Sequence, residues 1–124
     1  MGQSPIAIVG LGLMGEVYAQ RLIDAGIPVI GYDIDAARRA RLNEIGGKAV
    51  DSIAALAKPS LAVLVAVFNT AQVEDVVENH LLPALGDGSG KIVAVMSTVD
   101  PDQVAALAAR VVPRGVRYLD VPVS

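Results

Sequence analysis

Apolar and polar positions alternate along the chain in two registers. Ile6–Val9, Val29–Tyr32, Leu61–Phe68 and Ile92–Met96 are short runs rich in Val and Ile with no polar face. Runs apolar on both sides read as strands of a parallel sheet covered by helices. Between them, Leu13–Ala25, Ala36–Glu44, Ser52–Ala57, Ala71–Asn79 and Asp102–Arg110 carry apolar residues at helical spacing with charges on one side. Weaker strands are expected at Lys48–Val50 and Arg117–Val121. The order is β-α-β-α throughout, which predicts an α/β fold, a doubly wound parallel sheet with helices on both faces.

The punctuation agrees with these boundaries. Gly26 and Pro28 close the first helix. Asp100-Pro101 opens the last, with Asp100 as N-cap, Pro101 at the first helical position and Gln103 at the capping-box position. Gly86, Gly88 and Gly90 mark a surface loop. The sequence has no repeat and no low-complexity tract, so residues 1–124 read as one domain.

Gly10-Leu11-Gly12-Leu13-Met14-Gly15 follows the first strand directly and opens the first helix. In that context Gly10 permits a tight turn, Gly12 lets the backbone approach a pyrophosphate, and Gly15 lets the helix lie close on the sheet, a small-residue contact that Ala19 extends. The helix N-terminus offers N–H groups and a partial positive charge to phosphates. Asp33, at the end of the second strand, is the acid such a site uses on the adenosine ribose. It would repel a 2′-phosphate, so NAD is expected over NADP. Asp35 is the candidate cap of the next helix, and Arg38 and Arg39 are expected to face solvent, the alternative being that one of them holds a 2′-phosphate and so weakens the preference for NAD. The ends of the fourth strand, Val67-Phe68-Asn69, and the fifth, Ser97-Thr98, are expected to complete the crevice.

Composition narrows the chemistry. The 124 residues include no cysteine, which excludes disulfides, thiolate catalysis and cysteine-held metals and fits a reducing, cytoplasmic compartment. A net charge of −3 without a basic stripe argues against nucleic acid. The N-terminus lacks the charged lead-in of a signal peptide, Ile6 stands where myristoylation needs Ser or Thr, and no apolar run is long enough to span a membrane. Gly86–Lys91 has the wrong spacing for a P-loop. His80 is the only histidine, so neither a His-based metal site nor a Ser–His–Asp triad is expected.

Three motifs together, Gly10–Gly15 with Met14 before the third glycine, Ser97-Thr98-Val99-Asp100-Pro101, and Asp120-Val121-Pro122-Val123-Ser124, resemble the β-hydroxyacid dehydrogenases, the 3-hydroxyisobutyrate dehydrogenase-like family. The resemblance spans the whole chain. It implies an N-terminal Rossmann domain followed by a helical domain, and hydride transfer between a nicotinamide cofactor and a small 3-hydroxyacid or semialdehyde, in a homo-oligomer. It also implies that Gly10, Leu11, Gly12, Leu13, Met14 and Gly15 meet the pyrophosphate, Asp33 the ribose, Val67 and Phe68 the cofactor and Thr98 its nicotinamide ribose. Ser124 would meet the substrate carboxylate. The family's catalytic lysine lies downstream of Ser124 and none of Lys48, Lys58 and Lys91 falls in its motif, so this chain alone is expected to be inactive and to expose an apolar patch around Tyr118–Val123. Two other readings share the glycine loop: an imine-reductase-like NADPH-binding domain, against which Asp33 counts, and a non-catalytic dinucleotide-sensing module.

Overall fold

The apolar runs pair as the period predicts. The computed structural model describes residues 4–57, 59–66, 70–85, 91–95, 101–115 and 117–120. Its strands are β1 (Ile6–Val9), β2 (Val29–Tyr32), β3 (Lys48–Ala49), β4 (Ala62–Val65), β5 (Ile92–Val95) and β6 (Arg117–Asp120). They form one sheet in the order β3-β2-β1-β4-β5-β6. Every neighbouring pair is parallel, with Ile6 opposite Val29 on one side of β1 and Ala62 on the other.

Side chains along a strand alternate between faces, so one strand feeds two cores. Ala7 and Val9 join the larger cluster, with Val63, Val65, Val93 and Val95 from the sheet and Leu56, Val73, Val77, Leu81 and Leu107 from the helices above it. Ile8 points the other way, into a smaller cluster with Leu11, Ala19, Val29 and Leu42. The helices of the smaller core are α1 (Leu13–Asp24) and α2 (Ala36–Glu44). Those of the larger are α3 (Ile53–Ala57), α4 (Thr70–Glu74) and α6 (Pro101–Val111), with a π-helical segment (Asp75–Leu81) running from α4 into the short α5 (Leu82–Leu85). Layers on both faces of a parallel sheet are the doubly wound arrangement that the sequence pattern implies.

Glycines set the helix ends and the closeness of packing. After α1, Gly26 takes φ +81° and its N–H reaches the Ile23 carbonyl at 2.9 Å, while the Ile27 N–H reaches Leu22 at 2.9 Å. This is the paired-bond helix ending that favours glycine in the left-handed region. Gly15 answers a different demand. A Cβ there would lie 1.9 Å from the Gly10 carbonyl oxygen, so only glycine lets α1 start against the loop that precedes it.

The structure departs from the sequence pattern in three places. Ladder pairing covers Ala62–Val65 rather than a strand from Leu61, which is 57% exposed, to Phe68; residues 67–69 lie outside the described residues. The helix expected at Ala71–Asn79 runs over residues 70–85 and passes through a π segment. Its buried Val73, Val77 and Leu81 repeat every four residues, a row that drifts around an α-helix of about 3.6 residues per turn. A wider π stretch takes up that drift and keeps the row on the sheet. Of the patch expected at Tyr118–Val123, Leu119 is half-exposed, Tyr118 packs against the larger core, and 121–123 lie outside the described residues. So do the Asp100 cap and the loop of Gly86, Gly88 and Gly90, although Pro101 is the first residue of α6 as expected. Among the described residues no helix is long and apolar enough to cross a membrane.

The two glycines give an ordered prediction. Gly26→Ala meets no atom within 4 Å and carries only the left-handed backbone cost, about 1 kcal/mol. Gly15→Ala must move the Gly10 peptide and is expected to cost about 3 kcal/mol. Urea unfolding of both variants checks this; equal midpoints would contradict it.

Candidate functional site

The crevice opens where β1 and β4 send their chains to opposite faces of the sheet, at the carboxyl ends of the strands. Beyond Val9 the chain turns at Gly10, φ +97°, whose N–H donates to the Tyr32 carbonyl at 2.9 Å. The Ala66 N–H closes the other side onto the Val9 carbonyl at 2.8 Å. Leu11 sends its side chain into the smaller core and is 5% exposed. Gly12 is the N-cap of α1, extended and without any side chain to cap the helix. The first intrahelical bond runs from Glu16 N–H to the Gly12 carbonyl, so the N–H groups of Leu13, Met14 and Gly15 have no acceptor within the helix. This end of a twelve-residue helix offers donors and a partial positive charge to an anion. A Cβ at Gly12 would find only the Arg38 guanidinium nearby, Nη1 at 3.5 Å. The space above this glycine is therefore the crevice itself, with Arg38 at its edge.

Asp33 stands across from the loop, 7% exposed. Its Oδ2 accepts the Leu11 N–H at 2.8 Å and its Oδ1 accepts the Asp35 N–H, also at 2.8 Å. The carboxylate thus ties the glycine loop to the turn after β2, with one N–H on each oxygen and acceptor capacity remaining on both. Asp35 is the N-cap of α2, accepting the Ala37 N–H at 2.9 Å. Leu13, at 80%, and Ile34, at 87%, are apolar side chains left open beside these turns.

Arg38 is exposed as expected, yet its guanidinium leans toward two carboxylates, whereas Arg39 is partly buried. Arg38 Nη1 lies 3.6 Å from Asp33 Oδ2, and its Nε lies 3.9 Å from Asp35 Oδ2. Arg39 Nη1 donates to the Asp33 backbone carbonyl at 2.7 Å, with its guanidinium 5.9 Å from the centre of the Tyr32 ring. The reason was present in the sequence. With Asp35 as N-cap, residue 38 is the third of the helix, and side chains there fold back toward the helix start, as in a capping box.

Gly10, Leu11, Gly12, Leu13, Met14, Gly15 and Asp33 are therefore gathered at one crevice. Val67, Phe68, Thr98 and Ser124 lie outside the described residues. His80 stands apart, in the π segment, with Nε2 3.4 Å from Asp75 Oδ2. Lys48 begins β3, and Lys91 precedes β5 and donates to the Ala57 carbonyl at 2.9 Å. Both lie at the amino ends of their strands, opposite the crevice; partial burial lowers the Lys91 pKa from its ordinary value. Among the described residues no cluster of His, Asp or Glu suits a metal ion.

Residues 5–124 match the family model of the NAD binding domain of 6-phosphogluconate dehydrogenase. The chain is 35% identical over 119 residues to L-threonate dehydrogenase of Cupriavidus necator, covering 96% of this chain and 40% of that protein. Its fold superposes on the crystal structure of 3-hydroxyisobutyrate dehydrogenase from Salmonella typhimurium with a TM-score of 0.89 and 30% identity, over 98% of this chain and 42% of that one. An imine reductase from Pseudomonas sp. is also similar, with a TM-score of 0.81 and 26% identity over 98% of this chain and 41% of that one. The chain thus spans about two fifths of the length of these relatives.

Both Asp33 oxygens accept an N–H, and an amide could serve only one of them while turning its own NH2 on the other donor. Asp33→Asn is therefore expected to lower stability by about 1–3 kcal/mol. An unchanged urea midpoint would show that these bonds contribute nothing.

Proposed function

Because the chain belongs to the family of the NAD binding domain of 6-phosphogluconate dehydrogenase, we propose that it is the dinucleotide-binding domain of an oxidoreductase acting on a small 3-hydroxyacid or semialdehyde. The observation that carries the reading is the pairing of an uncapped helix N-terminus behind a glycine loop with a buried carboxylate across the crevice. In this reading the loop Gly10–Gly15 holds the pyrophosphate through its N–H groups. Asp33 receives the adenosine ribose hydroxyls on the lone pairs that Leu11 and Asp35 leave open. When bound, the cofactor supplies or accepts the hydride; this chain binds and orients it. Val67, Phe68 and Thr98 would complete the lining, and Ser124 would hold a substrate carboxylate. NAD is the preferred cofactor, since a 2′-phosphate would bring negative charge beside Asp33 and Asp35. The compartment proposed is the cytoplasm, and the full-length protein is proposed to be a homo-oligomer.

Proton transfer to the substrate oxygen needs an acid or base within hydrogen-bond reach. Lys48 and Lys91 lie at the opposite end of the sheet. Lys58 lies outside the described residues and, like the other two, falls in no family lysine motif, so by the resemblance that role belongs to a helical domain of the full-length protein. An imine-reductase-like parent has the likeness to the Pseudomonas enzyme in its favour. Asp33 counts against it, because that reading calls for NADPH.

Calorimetric titration of the chain with NADH and NADPH tests the reading. NADH is expected to bind more tightly, by at least about fivefold, the size of one unfavourable charge contact screened as in bulk water. Equal or tighter NADPH binding would overturn the preference, and binding of neither would overturn the reading. Hydride transfer to a 3-hydroxyacid or semialdehyde pair by the chain alone is expected to be undetectable in a nicotinamide absorbance assay; steady turnover would contradict the assignment of proton transfer elsewhere.

A further inference from the structure

We infer that Arg41 is a positioning residue for the anion at the glycine loop: it holds the Glu16 carboxylate and offsets its charge, so that the start of α1 stays receptive to a diphosphate. The inference rests on the dinucleotide-binding reading above. Three observations carry it. First, the helix end that offers donors to the phosphates carries an acid of its own. Glu16 is the acidic residue in the first turn of α1. It stands about 5 Å along the axis from Leu13, and helical side chains tilt back toward the N-terminus. Its charge therefore acts on the same helix end as the N–H groups of Leu13, Met14 and Gly15, which lack acceptors within the helix. An acid there favours the empty helix end and opposes a second anion. Second, this carboxylate has a partner from another element: Arg41 Nε donates to Glu16 Oε1 at 2.7 Å, across 25 residues of chain. Third, the guanidinium is braced from its own helix. Its Nη1 reaches Oε2 of Glu44, the last residue of α2, at 3.3 Å. Of the two acids, Glu16 is the larger cause raising the Arg41 pKa above its ordinary value.

With the pair intact, Glu16 and Arg41 present little net charge to an anion at the loop. Without Arg41 the carboxylate acts alone on both phosphates. NADH and NADPH share that diphosphate, so the effect falls on the two alike, unlike that of any group at the ribose end of the crevice. The ion pair itself contributes little to stability, because the Arg41 and Glu16 side chains are 55% and 35% exposed.

The test is titration of the wild-type chain, Arg41→Ala, Arg41→Lys, Glu16→Gln and the Arg41→Ala, Glu16→Gln double variant with NADH and NADPH, with urea unfolding of each. Two salt concentrations are compared, about 10 mM and about 1 M, where charges are screened over about 30 Å and about 3 Å. At low salt Arg41→Ala is expected to weaken both cofactors about threefold, the size of one carboxylate acting through water on a nearby diphosphate. Arg41→Lys keeps the charge and should retain most of the affinity. Glu16→Gln alone should bind both cofactors at least as tightly as the wild type, and added to Arg41→Ala it should restore the lost affinity. At high salt the difference between Arg41→Ala and the wild type should vanish, which a loss of structure would not do. The unfolding midpoints should move little. No weakening by Arg41→Ala, weakening of one cofactor alone, or weakening that persists at high salt or in the double variant would overturn the role of Arg41 and leave the dinucleotide reading standing. Binding of neither cofactor by the folded wild-type chain would overturn both.

Discussion

The 2.8 Å hydrogen bond from the Leu11 N–H to Asp33 joins residues 22 apart in the chain, and the crevice is organised around it. It stitches the turn after β1 to the turn after β2, two loops that leave neighbouring strands in the same direction. The other Asp33 oxygen holds the Asp35 N–H, and Asp35 in turn caps α2. One buried carboxylate thereby couples the glycine loop, the second strand and the second helix. The cost of burying its charge is met by these backbone donors and by the nearby Arg38. A carboxylate so restrained keeps its orientation without a ligand, which is the preorganisation a binding group needs.

Close approach is the second constraint. α1 begins against its own loop because Gly15 has no Cβ to strike the Gly10 carbonyl. Gly31 repeats the device in β2, where a Cβ would lie 2.6 Å from Leu42 Cδ2, so α2 settles directly on the strand. The helices are near enough to the sheet for a small core of Ile8, Leu11, Ala19, Val29 and Leu42 to fill the gap. The same closeness brings Arg38, one turn into α2, over Gly12.

The middle of the sheet was legible in the sequence because β1, β2, β4 and β5 are apolar on both faces; β3 and β6, which carry Lys48 and Arg117, gave the weaker signals. The glycine loop was legible because its spacing has one physical meaning between a strand and a helix. The π segment was not, since a row of Val73, Val77 and Leu81 fits an α-helix nearly as well until the sheet beneath it fixes its direction. The lean of the exposed Arg38 toward Asp33 was not fixed by the pattern for a different reason. A charged residue on a short polar helix ordinarily faces water, and only the cap at Asp35 determines that position 38 folds back. Apolar periodicity carries information about layers; the direction of a single long side chain depends on where its helix starts.

The shortness of β3 has a consequence for how copies of the chain behave together. A border strand normally displays unpaired N–H and carbonyl groups along its whole length, a template for a foreign strand. Here that border is two residues long, and one of them is the exposed Lys48. An approaching strand would find little ladder to extend and would have to bring its backbone past an ammonium group. The fold thus discourages edge-to-edge aggregation on this side with brevity and charge, at no expense to the crevice at the centre of the sheet.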